Sequence, residues 1–522
     1  MLWVFLVYLA ILLVLGFVAE RYTKGLEGFL LGDRKMGPWL TALSYEATAY
    51  SGWLMLGFPG RAFGRGLAAI WAGVACVLGD SLNWLLVSRR LRDETARLRA
   101  LTVPEYLERR FPKPDGYAIQ LVASLALSFF MLIYLWAQFV AAGKAMMTML
   151  EWSYAPAALL SAVVIILYTF QGGYRAVVWT DAFQAVMMLT ALVVLPVACV
   201  VKLGGWDGLG AALARASSEA AAVPAASAPL AATSSHLGAW FAGLAGLSLF
   251  SFLFEDAGLG SGYLGQPHIC VRYMAIRDAR ELRPAFVLSI LFAILVCAGA
   301  VAAGLLGHGF FHFGEAVPTS AAAAAGVRQP LHDAEEVLPR LAMAVLPSWL
   351  AGLVISAIMA AIMSTASGFL LSVTSSVTED VYHRLLRPAA GQGELVLVSR
   401  VVTLALGAAA LALAIGTNPL DPRSTVYKLV LYGWGGLAGC FSAPVTLALF
   451  YRGMTRAACL AGMLSGALTV LLWRNVPALV DVAYEVIPAI VISTLCILVV
   501  SRLTRPRVLA PAGRRVMEEP AS

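Results

Sequence analysis

Leu43-Ser44-Tyr45-Glu46-Ala47-Thr48-Ala49-Tyr50-Ser51-Gly52-Trp53-Leu54-Met55-Leu56-Gly57-Phe58-Pro59-Gly60 is an apolar segment broken at its centre by a carboxylate, hydroxyls and a glycine. A helix crossing a bilayer keeps its backbone hydrogen bonds to itself, because hydrocarbon offers no replacement partners. This one is composed to open. Opening near Ala47 to Gly52 frees carbonyls and amides at mid-membrane depth, and such backbone is tolerated where it lines a cavity or holds a ligand. The stretch therefore points to an ion or solute site. The alternative is a kinked but closed helix whose Ser and Thr bond back to the preceding turn.

Composition puts that helix in a membrane. Of 522 residues, 60% are hydrophobic and 13% charged, and the mean hydropathy is +0.81, against about 25% charged in a soluble domain. Seven cysteines, scattered through mostly apolar runs, fit core packing rather than disulfides or a metal cluster. The net charge of +7 is explained by membrane orientation, with no nucleic-acid partner required. Apolar spans lie near 2–19, 39–60, 66–87, 117–149, 155–171, 182–203, 237–262, 284–307, 347–373, 397–416, 427–450, 456–473 and 484–501, which predicts thirteen helices in a lipid bilayer.

The basic segment 88–116, with Arg89, Arg90, Arg92, Arg97, Arg99, Arg109, Arg110 and Lys113, is the strongest cytoplasmic marker. Alternation then places the N-terminus outside, the C-terminal tail 502–522 in the cytoplasm, and Arg272, Arg277, Arg280 and Arg283 in an inner loop of a multi-pass cell (inner) membrane protein. Residues 204–236, rich in Ala, Ser and Pro, form an outer connection. Asp333-Ala334-Glu335-Glu336 starts a short outer helix. His308 and His312, four apart and followed by Glu315, could in principle hold a metal, but without a third strong ligand in helical register an aqueous loop is expected there rather than a metal site.

A second break matches the first. Phe254-Glu255-Asp256-Ala257-Gly258-Leu259-Gly260-Ser261-Gly262-Tyr263 packs three glycines and two acids into the seventh span. The second and seventh spans open two groups of five in opposite orientation. Interrupted segments at matching places in two halves mark an inverted-repeat transporter with a mid-membrane site. The expected architecture is a single all-α polytopic transporter domain over 1–522, with a first repeat at 39–203 and a second at 237–450. Helix one and the helices of 456–501 are peripheral.

The chain also resembles the sodium:solute symporter family, most closely its sodium/proline branch, almost end to end. The resemblance rests on Leu31-Gly32-Asp33-Arg34, Gly37-Pro38, Ser51-Gly52-Trp53, Leu101-Thr102-Val103-Pro104-Glu105-Tyr106, Trp179-Thr180-Asp181, Gly265-Gln266-Pro267-His268, Met363-Ser364-Thr365 and Thr378-Glu379-Asp380. It implies a LeuT-like five-plus-five fold of about thirteen helices and sodium-driven uptake. It also implies a sodium site made by the carbonyls of Ala47, Tyr50 and Ala361 and the hydroxyls of Ser364 and Thr365. Five neutral oxygens suit a hard monovalent cation that must bind and leave. Asp181 resembles an aspartate near the ion's exit path, with a solvated helix-end acid as the alternative. Trp53, Tyr134 and Tyr263 match aromatic walls of the substrate pocket. Freed amides near Ser51 and Gly52 would meet a substrate carboxylate. Gln266 and Pro267 would shape the cytoplasmic gate.

Two departures stand out. Ala49 occupies the place of an aspartate near sodium, and Leu259 that of a pocket tryptophan. Glu46, Asp80, Glu255 and Asp256 stand where the branch has small or apolar residues, at an insertion cost of about 2.5–3.5 kcal/mol each for a central charge, so they are expected to face the bundle interior. Lys144 is the obvious intramembrane cation to pair with them. Glu46, one turn before Ala49, would supply the missing charge or couple protons, and Glu255 would act likewise. The expected function is sodium-coupled import of a small organic solute, an amino acid with proline first, by alternating access, sodium being the only cofactor. A proton-coupled or cation-substrate symporter and a solute sensor are the alternatives. No nucleophile–base pair within the spans calls for an enzyme.

Overall fold

The computed structural model describes residues 1–22, 25–111, 116–169, 173–207, 256–313, 329–331, 333–419, 421, 425–480 and 482–505. Ten helices among them are long and apolar enough to cross a bilayer, and Tyr154–Leu167 is a shorter apolar helix. Thirteen is not reached within the described residues: the second expected span is broken and its latter half runs on with the third as Trp53–Arg97, the fifth is the short helix, and most of the seventh lies outside them.

Helix α1 (Leu2–Glu20) is peripheral, with Trp3 and Val14 turned outward. Helix α2 (Pro38–Ala49) starts on a proline, whose missing N–H costs nothing in a first turn. It ends where the sequence predicts. The Tyr50 N–H closes on Glu46 O at 2.9 Å, then Tyr50 leaves helical geometry at φ −100°, ψ 86°. The chain resumes through a wide turn at Trp53–Gly57 into α3 (Phe58–Arg65), so the closed-helix alternative does not apply. Next come α4 (Ile70–Leu82), α5 (Ala118–Leu150), α6 (Tyr154–Thr169) and α7 (Gly173–Lys202). The second break follows α8 (Ala257–Ser261). Gly265 takes the left-handed φ of +75°, which glycine tolerates without a Cβ clash, before α9 (Pro267–Ala275) begins. The series continues with α10 (Leu282–Gly307), α11 (Ser348–Ser375), α12 (Gln392–Ile415), α13 (Val426–Phe450), α14 (Arg456–Asn475) and α15 (Val486–Thr504). A parallel pair of three-residue strands, Phe311–Phe313 with Gln329–Leu331, is the one exception to helix among the described elements.

Helix α11 is the hub, buried along nearly its whole length. Where helices meet most closely, backbone touches backbone. A β-carbon on Gly79 of α4 would sit 2.0 Å from the Gly260 carbonyl oxygen of α8, and one on Gly260 would sit 2.2 Å from that of Ala75. One on Gly304 of α10 would lie 2.3 Å from Pro59 O of α3. Small residues at such crossings replace the hydrophobic drive that lipid removes with close van der Waals packing.

Two of the motifs that carry the resemblance, at 101–106 and 378–380, are joined by a buried carboxylate. Asp380 accepts from Gln120 Nε2 at 2.6 Å, Ser376 Oγ at 2.7 Å, Thr102 Oγ1 at 3.0 Å and Ser124 Oγ at 3.3 Å. It has no ion-pair partner among the described residues; four neutral donors satisfy it instead. Thr102 also caps the helix Val103–Arg109 by accepting from Glu105 N–H at 3.1 Å. The seven cysteines are free and six are buried, in keeping with packing.

Candidate functional site

Ending a helix inside the protein leaves its last carbonyls without intrahelical partners. At the end of α2 those carbonyls face the hydroxyl pair of α11. Ser364 Oγ donates to Ala47 O at 2.7 Å and lies 3.0 Å from Ala361 O; Thr365 Oγ1 lies 3.2 Å from Thr48 O and 3.4 Å from Ala47 O. Four of the five expected ligands, Ala47, Ala361, Ser364 and Thr365, therefore converge. Tyr50 is not among the partners of the hydroxyls and Thr48 is: α2 stays helical through Ala49, and Tyr50 then leaves helical geometry at φ −100°, ψ 86°. Turning hydroxyl lone pairs onto a cation would replace bonds these groups now make with carbonyls. The oxygens are neutral and fully buried.

On the other side of the break, Ser51 Oγ lies 3.2 Å from Tyr134 OH and accepts from Trp53 N–H at 3.1 Å; Gly52 N–H donates to Gln138 Oε1 at 3.0 Å. The amides expected to meet a carboxylate directly are thus capped by side chains, because a buried N–H without water takes the nearest acceptor. From Tyr134 a chain of rings runs inward: Tyr134 to Phe369 at 4.5 Å between centroids, Phe369 to His268 at 4.7 Å, His268 to Trp434 at 6.1 Å and Trp434 to Tyr263 at 4.7 Å. Tyr134 and Tyr263 belong to one wall, while Trp53 stacks on Phe58 at 4.8 Å and neighbours Tyr427. Beside Leu259, Trp434 Nε1 of α13 donates to Leu259 O at 3.3 Å.

Asp181 is fully buried, not a solvated helix end. Its Oδ2 accepts from Ser44 Oγ at 2.7 Å, Arg272 Nη2 at 3.1 Å and Thr48 Oγ1 at 3.3 Å. Arg272 is only 1% exposed and also donates to Thr48 Oγ1 at 2.6 Å and His268 O at 2.7 Å. Its placement in an inner loop is corrected: α9 carries it into the core, where the Asp181 carboxylate compensates the charge. Thr48 is shared, its carbonyl facing Thr365 and its hydroxyl facing Asp181. A small cavity of about 20 Å³ lined by Thr102, Tyr174, Pro267, Arg272, Ser372 and Ser375 reaches this network from the side of the basic segment.

Against known proteins, the sequence matches the family described as "SSF: Sodium:solute symporter family" over residues 29–466. The chain belongs to the sodium:solute symporter family. The symporter is 36% identical to the sodium/proline symporter of Escherichia coli (strain K12) over 504 residues, 96% of this chain and 93% of that one. It is 35% identical to the high-affinity proline transporter PutP of Bacillus subtilis (strain 168) over 495 residues, 95% and 96% of the two chains. A solved Na+-coupled sialic acid symporter, substrate-bound and outward-open, superposes with a TM-score of 0.72 at 18% identity, over 96% of this chain and 98% of that one. The fold is the LeuT-like one.

The symporter's unusual acids sort into separate places. Glu46 turns away from the hydroxyl pair, since it precedes Ala47 by one residue and so by about 100° around the helix. It accepts from Ser289 of α10 and lies within hydrogen-bonding reach of Asp80 of α4. Asp80 accepts from Tyr45 OH. Glu46 Oε2 and Asp80 Oδ2 have no donor, and two carboxyl oxygens bond only with a proton between them. Asp256 pairs with Arg61 at 2.7 Å, and the Arg61 guanidinium lies 5.2 Å over the Tyr427 ring. Lys144 pairs with neither group. It bridges Asp333 at 2.7 Å and Glu335 at 2.6 Å, and Glu335 also caps the start of α13 by accepting from Val426 N–H and Tyr427 N–H. Glu255 lies outside the described residues. The Asp333 segment forms a short turn followed by the helix Val337–Val345. His308 is engaged with Phe63, its Nε2 lying 2.6 Å from Phe63 O.

Gln138, Arg272, Phe369 and Trp434 escape a reading that starts from the breaks. Gln138 alone had a signal: a carboxamide one turn after Tyr134 inside an apolar helix.

Proposed function

We propose that this symporter imports an amino acid, proline first, on inward sodium flow. The observation that carries the reading is the meeting of the Ser364–Thr365 hydroxyls with the released carbonyls of α2, one turn from Ser51 and the Tyr134 wall. Sodium bound there would tie α11 to the opened helix and so favour one conformation of the substrate side, which is coupling by differential affinity. The names of the relatives support proline. Ala47, Thr48, Ala361, Ser364 and Thr365 hold sodium, with Tyr50 at its rim. Ser51, Gly52, Tyr134 and Tyr263 border the solute. Asp181 and Pro267 lie on the inner exit, and Arg61, Asp256, Trp53 and Tyr427 close the outer side. The N-terminus lies outside and the basic segment inside. In proteoliposomes an inward sodium gradient should drive accumulation of labelled proline; a failure with sodium, whatever the amino acid offered, overturns the reading.

The Glu46–Asp80 pair favours a second reading, proton coupling. Glutamine at 46 can accept from Ser289 and donate to Asp80, so it replaces a protonated glutamate bond for bond. Glu46→Gln should keep sodium-driven uptake within about twofold of the parent and flatten its pH dependence. Uptake driven by a proton gradient alone in the parent, and lost in Glu46→Gln, would make the proton the coupling ion.

A further inference from the structure

Buried polar atoms in native proteins almost always find partners, and those that do not call for an explanation. Two carboxamides beside the ring chain each keep half of their capacity open. Gln138 is completely buried. Gly52 N–H can only donate, so the Gln138 carbonyl must face it, as the 3.0 Å contact shows. The Gln138 amino group, Nε2, is then left with no partner. Gln266 is the reverse case. Also completely buried, it faces Trp434 O at 3.2 Å. A carbonyl can only accept, so the Gln266 amino group is committed there and its Oε1 has no partner. One site therefore has a free donor and the other a free acceptor, and the assignment does not depend on which way a carboxamide was drawn.

The two lie at opposite ends of the same ring chain. Gln138 follows Tyr134 by four residues on α5, hence on the same face. Gln266 adjoins Trp434, with His268 two residues on, between Trp434 and Phe369. Both His268 ring nitrogens are also buried without partners; a neutral imidazole adds one donor and one acceptor. Every group with open capacity along the chain is uncharged. A ligand of net charge would be left uncompensated there, whereas a zwitterion brings an acceptor at one end and a donor at the other.

We infer that Gln138 and Gln266 are the two poles of the solute subsite, Gln138 Nε2 donating to the solute's carboxylate and Gln266 Oε1 accepting from its ammonium, with the rings holding the apolar body between them. This rests on the amino-acid reading above and gives it polarity and residues.

The test is sodium-driven uptake of labelled proline by the full-length protein in proteoliposomes, with unlabelled competitors that each lack one pole. Prolinamide has no carboxylate, and tetrahydrofuran-2-carboxylic acid has no ammonium. Gln138→Glu keeps an oxygen for Gly52 N–H but puts a negative acceptor where the donor was. It should weaken proline at least tenfold, a charge-assisted bond lost, and erase the preference for proline over prolinamide while retaining that over the furan acid. Gln266→Met should do the converse. A merely structural role would weaken all three ligands together. Equal losses, or both preferences intact in both variants, overturn the inference while proline uptake stands; absence of sodium-driven uptake in the parent, whatever the amino acid offered, overturns the amino-acid reading and this inference with it.

Discussion

Replacing Ser364 and Thr365 together by alanine should raise the sodium concentration for half-maximal uptake by about ten- to a hundredfold, at about 1 kcal/mol or somewhat more per hydroxyl. The proposed site has no carboxylate. The remaining carbonyls of Ala47, Thr48 and Ala361 are all neutral, so nothing compensates for two lost oxygens. The protein should still assemble, because both hydroxyls donate to carbonyls that keep other lone pairs, and alanine is a strong helix former. Sodium titration of uptake beside quantitation of purified protein separates the two effects. An unchanged sodium dependence would place the ion elsewhere.

Arg272→Ala should be more severe, because Asp181 would remain buried with only Ser44 and Thr48 beside it. Removing one member of a buried pair costs about 3–5 kcal/mol, comparable with much of a protein's net stability, so little monodisperse protein should be recovered from membranes. Arg272→Lys should rescue poorly, since one ammonium cannot reach the Ser44, Thr48, Asp181 and His268 acceptors that the guanidinium fork spans. Arg272→Met with Asp181→Asn, which removes both charges, should restore recovery but not transport. Full recovery of the single Arg272→Ala variant, judged by detergent size-exclusion profile, would mean that the pair contributes nothing to assembly.

Both breaks were legible because they are local events. A run of Glu, Thr, Ser and Gly in hydrocarbon has few structural explanations, and the chain opens at Tyr50–Ser51 within the predicted window. The hydroxyl pair was legible through resemblance; in the structure its hydroxyls face the carbonyls of Ala47, Thr48 and Ala361, and Tyr50 is not among them. What stayed hidden depends on packing between distant segments. Arg272 has the sequence look of one more base in an inner loop; only the position of α9 against α2 and α7 gives it Asp181. Lys144 likewise has the sequence look of a partner for the acids of the breaks; only the turn at 333–335 gives it Asp333 and Glu335. Trp434 reaches the Leu259 carbonyl from 175 positions away in sequence, a contact that no local pattern encodes.

The glycine crossings have a mechanical meaning. Repulsion between touching backbones rises far more steeply with distance than any hydrogen bond, so α4 and α8, meeting at Gly79 and Gly260, can slide along each other only as far as their carbonyls clear. Any shift of α8 would be transmitted to α4 as to the far end of a rod, and α4 carries Asp80. The Glu46–Asp80 carboxyl pair thus sits at the end of a stiff lever whose other arm is α8, while the contacts of α2 with α11 are hydrogen bonds that can exchange partners. The molecule has rigid joints and yielding ones, and the yielding ones are where the ion is proposed to bind.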